Sequence, residues 1–143
     1  MLSVAELPPE PKDIQRFIAA ENVCAWPNLI VAADGNILAM VFNQANQHPA
    51  DLLRLKNGRI LLSYGSRIPS QLAVQAKFSA DEGKKWSELS RIANSLNGDC
   101  GYPSSIELSD RKILTTFCFK SDSNCHRYHM GLAIWKPSSA KAD

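Results

Sequence analysis

The sequence predicts an all-β, antiparallel fold assembled from repeated hairpins. Three observations carry that expectation. Most of the chain shows a two-residue apolar period, one strand–turn–strand pattern occurs three times, and a Ser-x-Asp-x-Gly-x-x-Trp motif stands where a hairpin tip belongs.

Residues 1–22 stand apart as an N-terminal extension. Pro8, Pro9 and Pro11 exclude regular structure there, and Asp13 can then cap one short helix with Ile14, Phe17 and Ile18 on one side. From Val23 to Lys136 the period changes to two, which defines the expected domain, residues 23–136. In Gln71 to Phe78, the residues Leu72, Val74, Ala76 and Phe78 face one way, and Ala73, Gln75 and Lys77 the other. His129 to Trp135 alternates in the same manner with Met130, Leu132 and Ile134. Residues 137–143 are small and polar and are expected to form a loose tail.

The repeat organises the strand-rich part. Trp26 to Leu38, Asp51 to Leu61 and Tyr102 to Leu114 each read as a strand, a tight turn and a second strand. Asp34-Gly35 and Asn57-Gly58 supply the positive φ that two-residue hairpin turns demand. The third copy has Arg111 in place of glycine, so its turn is expected to be strained or differently shaped. Ile60 and Ile113 lie 53 residues apart, enough for a four-stranded propeller blade, whereas Ile37 and Ile60 lie only 23 apart. Either the first blade is half-built or separating sequence is missing near His48.

Composition narrows the function classes. The 143 residues are sized for one domain, with 45% hydrophobic and 21% charged residues. The net charge of +2 leaves no electrostatic footprint for nucleic acid or an acidic membrane. No apolar run is long enough for a transmembrane helix. Met1 to Leu7 contains Glu6 and no basic flank, so it does not read as a signal peptide. As written the chain is expected in the cytoplasm, with secretion the alternative if its start is incomplete. Cys24, Cys100, Cys118 and Cys125 are too sparse for a disulfide scaffold and read as buried small hydrophobes.

Ser79-Ala80-Asp81-Glu82-Gly83-Lys84-Lys85-Trp86 matches the Asp-box pattern. Its chemistry suits a hairpin tip: Asp81 accepts backbone N–H groups, Gly83 supplies unusual φ, and Trp86 folds back over the loop. With this box and the repeats, the chain resembles the sialidase (neuraminidase) superfamily over residues 23–136. The segments Cys24 to Leu29, His48 to Gly65 and Gly101 to Asp110 carry the likeness. Family members form six-bladed propellers with several Asp-boxes. One box and this length therefore imply a partial six-bladed β-propeller of two to three blades, with Ser79, Asp81, Gly83 and Trp86 structural and distant from the catalytic mouth.

The resemblance also suggests a site. Sialidases hold the substrate carboxylate with arginines, because planar guanidinium groups bind it bidentately. They attack with a neutral tyrosine activated by glutamate, since an anionic nucleophile would repel that carboxylate. By this resemblance Tyr102 stands where the nucleophilic tyrosine does, Glu107, five residues later on the face of Pro103 and Ser105, is a candidate catalytic group lining the channel, and Arg67 in Arg-Ile-Pro is the candidate carboxylate binder. Asp51 is the candidate acid/base if it faces the channel. The bland alternatives are a tyrosine packed at a strand end, a solvated strand glutamate and a structural aspartate. Asp34, Asn57 and Asp110 read as turn residues. Cys118, Cys125, His126 and His129 do not match a zinc framework, so no metal and no cofactor is expected.

Two functions follow. The first is a sialidase-like glycoside hydrolase, expected to be incomplete, acting on terminal sialic acid or a related acidic sugar. The second is a non-catalytic propeller remnant that binds glycan or self-associates through open strand edges.

Overall fold

A computed structural model describes residues 24–42, 50–120 and 127–137. Nine strands follow in chain order: β1 Cys24–Val31, β2 Ile37–Phe42, β3 Asp51–Arg54, β4 Ile60–Ser66, β5 Ala73–Ser79, β6 Ser90–Asn94, β7 Gly101–Glu107, β8 Ile113–Phe119 and β9 His129–Trp135. They form three antiparallel sheets, β1-β2, β3-β4-β5-β6 and β7-β8-β9, here sheets 1, 2 and 3. No helix occurs among the described residues, so none there is long and apolar enough to cross a membrane. The expected helix after Asp13, the segment around His48 and residues 138–143 lie outside the described residues.

Each sequence repeat is the first hairpin of one sheet. Ala32, Leu55 and Leu108 each accept an N–H from the residue three positions on, Gly35 at 3.0 Å, Gly58 at 2.9 Å and Arg111 at 3.2 Å. The same three residues donate to the carbonyls of Asn36, Arg59 and Lys112. These are three-residue loops closed by a left-handed residue, not the two-residue turns expected from the Asp-Gly and Asn-Gly pairs. The left-handed residues are Gly35 (φ 86°), Gly58 (φ 84°) and Arg111 (φ 65°). Arg111 therefore keeps the glycine conformation and bears its strain. Asp34, Asn57 and Asp110 each accept the N–H two residues on, at 3.0, 3.1 and 3.2 Å, which is why all three turns close alike.

Sheet 2 lies between its neighbours and is covered on both faces. Leu61, Ala76 and Phe78 pack with Ile113 and Trp135 of sheet 3, while Leu62 and Tyr64 pack with Met40 of sheet 1. Burying a side chain such as Leu61 or Ile113, both fully enclosed, contributes about 1.5–3 kcal/mol. Coverage on both faces explains why Gln75, expected on the polar face of its strand, is 2% exposed. A buried hydroxyl chain crosses the junction of sheets 2 and 3: Ser63 Oγ meets Ser105 Oγ at 3.0 Å, and Ser105 Oγ meets Thr115 Oγ1 at 3.0 Å. Trp135 Nε1 completes it by donating to Thr115 Oγ1 at 3.1 Å, with its ring against Phe78.

The outermost faces are different. In β9 the small residues Gly131 and Ala133 point inward with Trp135, and the apolar stripe Met130, Leu132, Ile134 is exposed. A Cβ at Gly131 would sit 2.5 Å from the Phe117 ring, so any larger residue at that inward position must displace the ring. On sheet 1 the outward residues Leu29, Val31 and Ile37 are exposed too.

The Asp-box joins β5 to β6 and is built around one hydroxyl. Ser79 Oγ accepts the N–H groups of Asp81 at 3.3 Å and Gly83 at 2.9 Å, and donates to Asp81 Oδ1 at 2.9 Å. Asp81 Oδ1 also accepts the Lys85 N–H at 2.8 Å, which with the Ser79 hydroxyl holds its carboxyl below the usual range. A Cβ at Gly83 (φ 83°) would meet Trp86 at 3.6 Å and Leu38 of sheet 1 at 3.1 Å. The next residue back, Glu82, takes Arg54 bidentately at 2.9 and 2.6 Å, and the Arg54 guanidinium also donates to the Val31 carbonyl of sheet 1.

Two predictions follow from these turns. Ser79→Ala strips the buried acceptor from two amides, and is expected to lower unfolding free energy by about 1–3 kcal/mol in urea denaturation. An unchanged denaturation midpoint would show that the loop does not depend on the hydroxyl. Arg111→Gly is expected to raise stability by about 0.5–1 kcal/mol, because relief of the left-handed strain exceeds the loss of a 3.4 Å ion pair to Glu107 whose arginine end is exposed. The denaturation midpoint checks this one too, and a fall in it would contradict the strain argument.

Candidate functional site

The inner strands β1, β3 and β7 run side by side in the same direction, so all three sheets share a leading end, where those strands begin, and a trailing end. The leading end gathers Asp51, Arg67 and Tyr102. The trailing end carries the three turns, Glu107 and the Asp-box. Four residues singled out in the sequence as one site are thus divided three to one.

Asp51 opens β3 at the meeting point of all three sheets. Its Oδ1 accepts the Asn28 side-chain amide from sheet 1 at 3.2 Å, and its Oδ2 accepts the Ser105 N–H from sheet 3 at 2.6 Å. Burial pushes its carboxyl up, against the opposing pull of the Ser105 N–H and the Asn28 amide. Both oxygens are engaged by neighbouring sheets, which makes Asp51 a junction bridge.

Tyr102 sits in a β-bulge, where the β7–β8 register shifts between Gly101 and Ser104. Its backbone is left-handed (φ 49°) and follows a left-handed Gly101 (φ 111°). For an aromatic residue this costs of order 1–3 kcal/mol, a strain that concentrates at binding sites. The Tyr102 side chain is 46% exposed and lines an open groove of about 370 Å³ with Cys118, Tyr128, His129 and Met130. Tyr128 donates its hydroxyl to Asp99 Oδ2 at 2.8 Å, and Arg67 lies 3.9 Å from Asp99 Oδ1. The Lys120 ammonium stands 4.8 Å above the Tyr128 ring. Accepting that hydrogen bond, Asp99 holds the Tyr128 phenol in its neutral form and pushes its pKa up. The leading end therefore carries two phenols, a guanidinium and an ammonium, with Tyr128 and Arg67 facing the Asp99 carboxylate.

Glu107 is not part of this group. Tyr102 and Glu107 are five residues apart on one extended strand, about 16 Å, so no hydrogen bond can join them. Glu107 Oε2 accepts the Lys56 N–H of sheet 2 at 2.5 Å, and Oε1 faces Arg111 at 3.4 Å, which is a structural task at the trailing end. The phenol that does meet a carboxylate is Tyr128, with Asp99, a pair the sequence did not signal: the two are 29 residues apart and share no motif. A second groove of about 400 Å³ lies at the trailing end among turn residues, including Asn57, Glu107 and Arg111. Cys125 and His126 lie outside the described residues.

The raised Asp51 pKa has a definite sign. A carboxyl with a folded pKa above its unfolded value of 3.8 contributes stability that is full below that value and lost as pH rises through the folded pKa. Relative to Asp51→Asn, the wild-type chain is therefore expected to lose stability as pH climbs from below 4 through that window. Paired urea titrations across the window check it, and a difference that grows with pH would reverse the assignment.

No protein-family model and no curated protein matches the chain. Among solved structures, the fold is similar to that of a protein of unknown function from Dyadobacter fermentans DSM 18053, at 20% identity and a TM-score of 0.66. That likeness covers 82% of this chain and spans 39% of the longer chain. At this identity the similarity is one of fold alone.

Proposed function

We propose that the three sheets are consecutive blades of a partial β-propeller of the sialidase-like kind, and that their leading end binds an acidic sugar. The observation that carries this reading is the grouping of Arg67, Tyr102 and Tyr128 at the end of the sheets opposite an Asp-box. A guanidinium beside two phenols suits a sugar bearing a carboxylate: the cation takes the acid and the aromatic rings offer an apolar body with a polar tip. Hydrolysis is not the leading reading, because Asp51 is committed to the sheet junction and Glu107 to the trailing end. One observation favours it as a second reading: Tyr128 with Asp99 is a phenol beside a carboxylate, the pairing that a tyrosine nucleophile needs.

Titration with sialic acid, followed by amide NMR shifts, tests the proposal. Shifts are expected at Arg67, Tyr102 and Tyr128, and Arg67→Ala is expected to weaken binding roughly tenfold, the loss of one charge-assisted contact. Galactose, a neutral control, is expected to leave those residues unmoved. Absence of sialic acid binding, or binding indifferent to Arg67→Ala, overturns the reading. Turnover of a fluorogenic sialoside that is lost in Tyr128→Phe would replace it with hydrolysis.

A further inference from the structure

The two outermost sheet faces are apolar and exposed, yet each is the counterpart of a face buried inside the same chain. Aligning the three turns makes the correspondence explicit. Ile106, Leu114 and Ile134 on the outer face of sheet 3 stand at the positions of Leu53, Leu61 and Phe78, which sheet 2 packs against sheet 3. Ile37 on the outer face of sheet 1 stands at the position of Ile113, which sheet 3 packs against sheet 2, and Leu29 at that of Ser105. Yet Ile134 is 57% exposed and Ile37 is 69% exposed. One end of the stack thus presents the knob side of an interface whose socket side lies at the other end.

The hydrogen bonds between sheets repeat in the same register. Asn28 Oδ1 of sheet 1 accepts the Leu52 N–H of sheet 2 at 3.3 Å, and Asp51 Oδ2 of sheet 2 accepts the Ser105 N–H of sheet 3 at 2.6 Å. Asn28 and Asp51 are equivalent positions, and so are Leu52 and Ser105. The series continues to Ser104 as the next acceptor and begins at the Leu29 N–H as the preceding donor. At the trailing end, Arg54 reaches back to the Val31 carbonyl and its equivalent Glu107 reaches back to the Lys56 N–H.

We propose that a second copy of the chain stacks head to tail on the first, the outer face of sheet 3 in each copy covering the outer face of sheet 1 in the other. This continues an interface the chain already makes twice within itself. Apolar faces of this kind mark association surfaces, and a head-to-tail contact closes into a ring when its rotation allows. One partner copy covers both faces at once. Residues 1–22, with Pro8, Pro9 and Pro11, lack the alternating strand pattern that would supply either face. The contact runs face to face, and not through the open strand edges that the sequence suggested. The inference rests on the blade reading of the sheets and is independent of sugar binding.

Sedimentation velocity on the full chain tests it, with two variants at exposed positions that leave the interior untouched. Wild type is expected at twice the chain mass. Ile37→Lys on sheet 1 and Ile134→Glu on sheet 3 are each expected to sediment as monomers with unchanged far-ultraviolet circular dichroism. Mixing the two variants is expected to restore the dimer, because one interface is then wild type and the other pairs lysine with glutamate. A monomeric wild-type chain overturns the second copy, whether residues 1–22 or solvent cover the faces. A dimer that survives both substitutions overturns the faces, and a mixture that stays monomeric overturns the head-to-tail arrangement. None of these outcomes depends on sialic acid binding, so either proposal can fail alone.

Discussion

The inner strands of the three sheets lie alongside one another without forming a ladder, so the amides on their facing edges need acceptors from outside their own sheet. Asn28 and Asp51 provide them, each from the preceding sheet. A buried amide without an acceptor costs on the order of 1–3 kcal/mol, and that penalty fixes how one sheet sits on the next. The hydroxyl chain from Ser63 through Ser105 and Thr115 to Trp135 sharpens the fit, because a slip of one residue would turn Ser105 outward and leave the chain broken. Apolar contact between Leu61, Phe78, Ile113 and Trp135 supplies attraction, while the polar links supply position.

That division of labour decides what the leading end is able to do. Asp51 is held by two neighbours, and its energy of placement goes into the junction. Tyr102 is held in a left-handed conformation by the bulge that follows Gly101, which turns its phenol into the groove shared with Tyr128. Arg67, Asp99 and Tyr128 come from three different loops and strand ends, brought together only because β4, β6 and β9 finish or begin at the same level.

The fold was legible where local chemistry dictates geometry. The three turns, the Asp-box and the period of two all follow from residues within a few positions of one another, and the turn at Arg111 kept its shape against its sequence because Asp110 closes it as Asp34 and Asn57 close theirs. What alternation could not tell was which face meets a neighbour. Met130, Leu132 and Ile134 are the apolar line of their strand's alternation yet lie exposed, while Gly131, Ala133 and Trp135 fill the inner face, where a Cβ at Gly131 would meet the Phe117 ring. The candidate site was half legible for a similar reason. Asp51, Arg67 and Tyr102 sit at strand ends that topology brings together, whereas Glu107, on the same strand as Tyr102, is carried to the other end by the extended backbone. Asp99 and Tyr128 carry no local signature, so only the tertiary arrangement reveals their pairing.

Because each sheet is seated on its predecessor by the same two positions of its inner strand, the number of outer strands is free to vary. Sheet 1 has two strands among the described residues, sheet 3 three and sheet 2 four, yet all three are joined through inner hairpins of one design. Such an architecture is modular in the manner of nearest-neighbour repeats. Duplication or trimming of a unit would change the length of the array while leaving the coupling between adjacent units the same, so the junction, not the complete sheet, is the repeating element of the architecture.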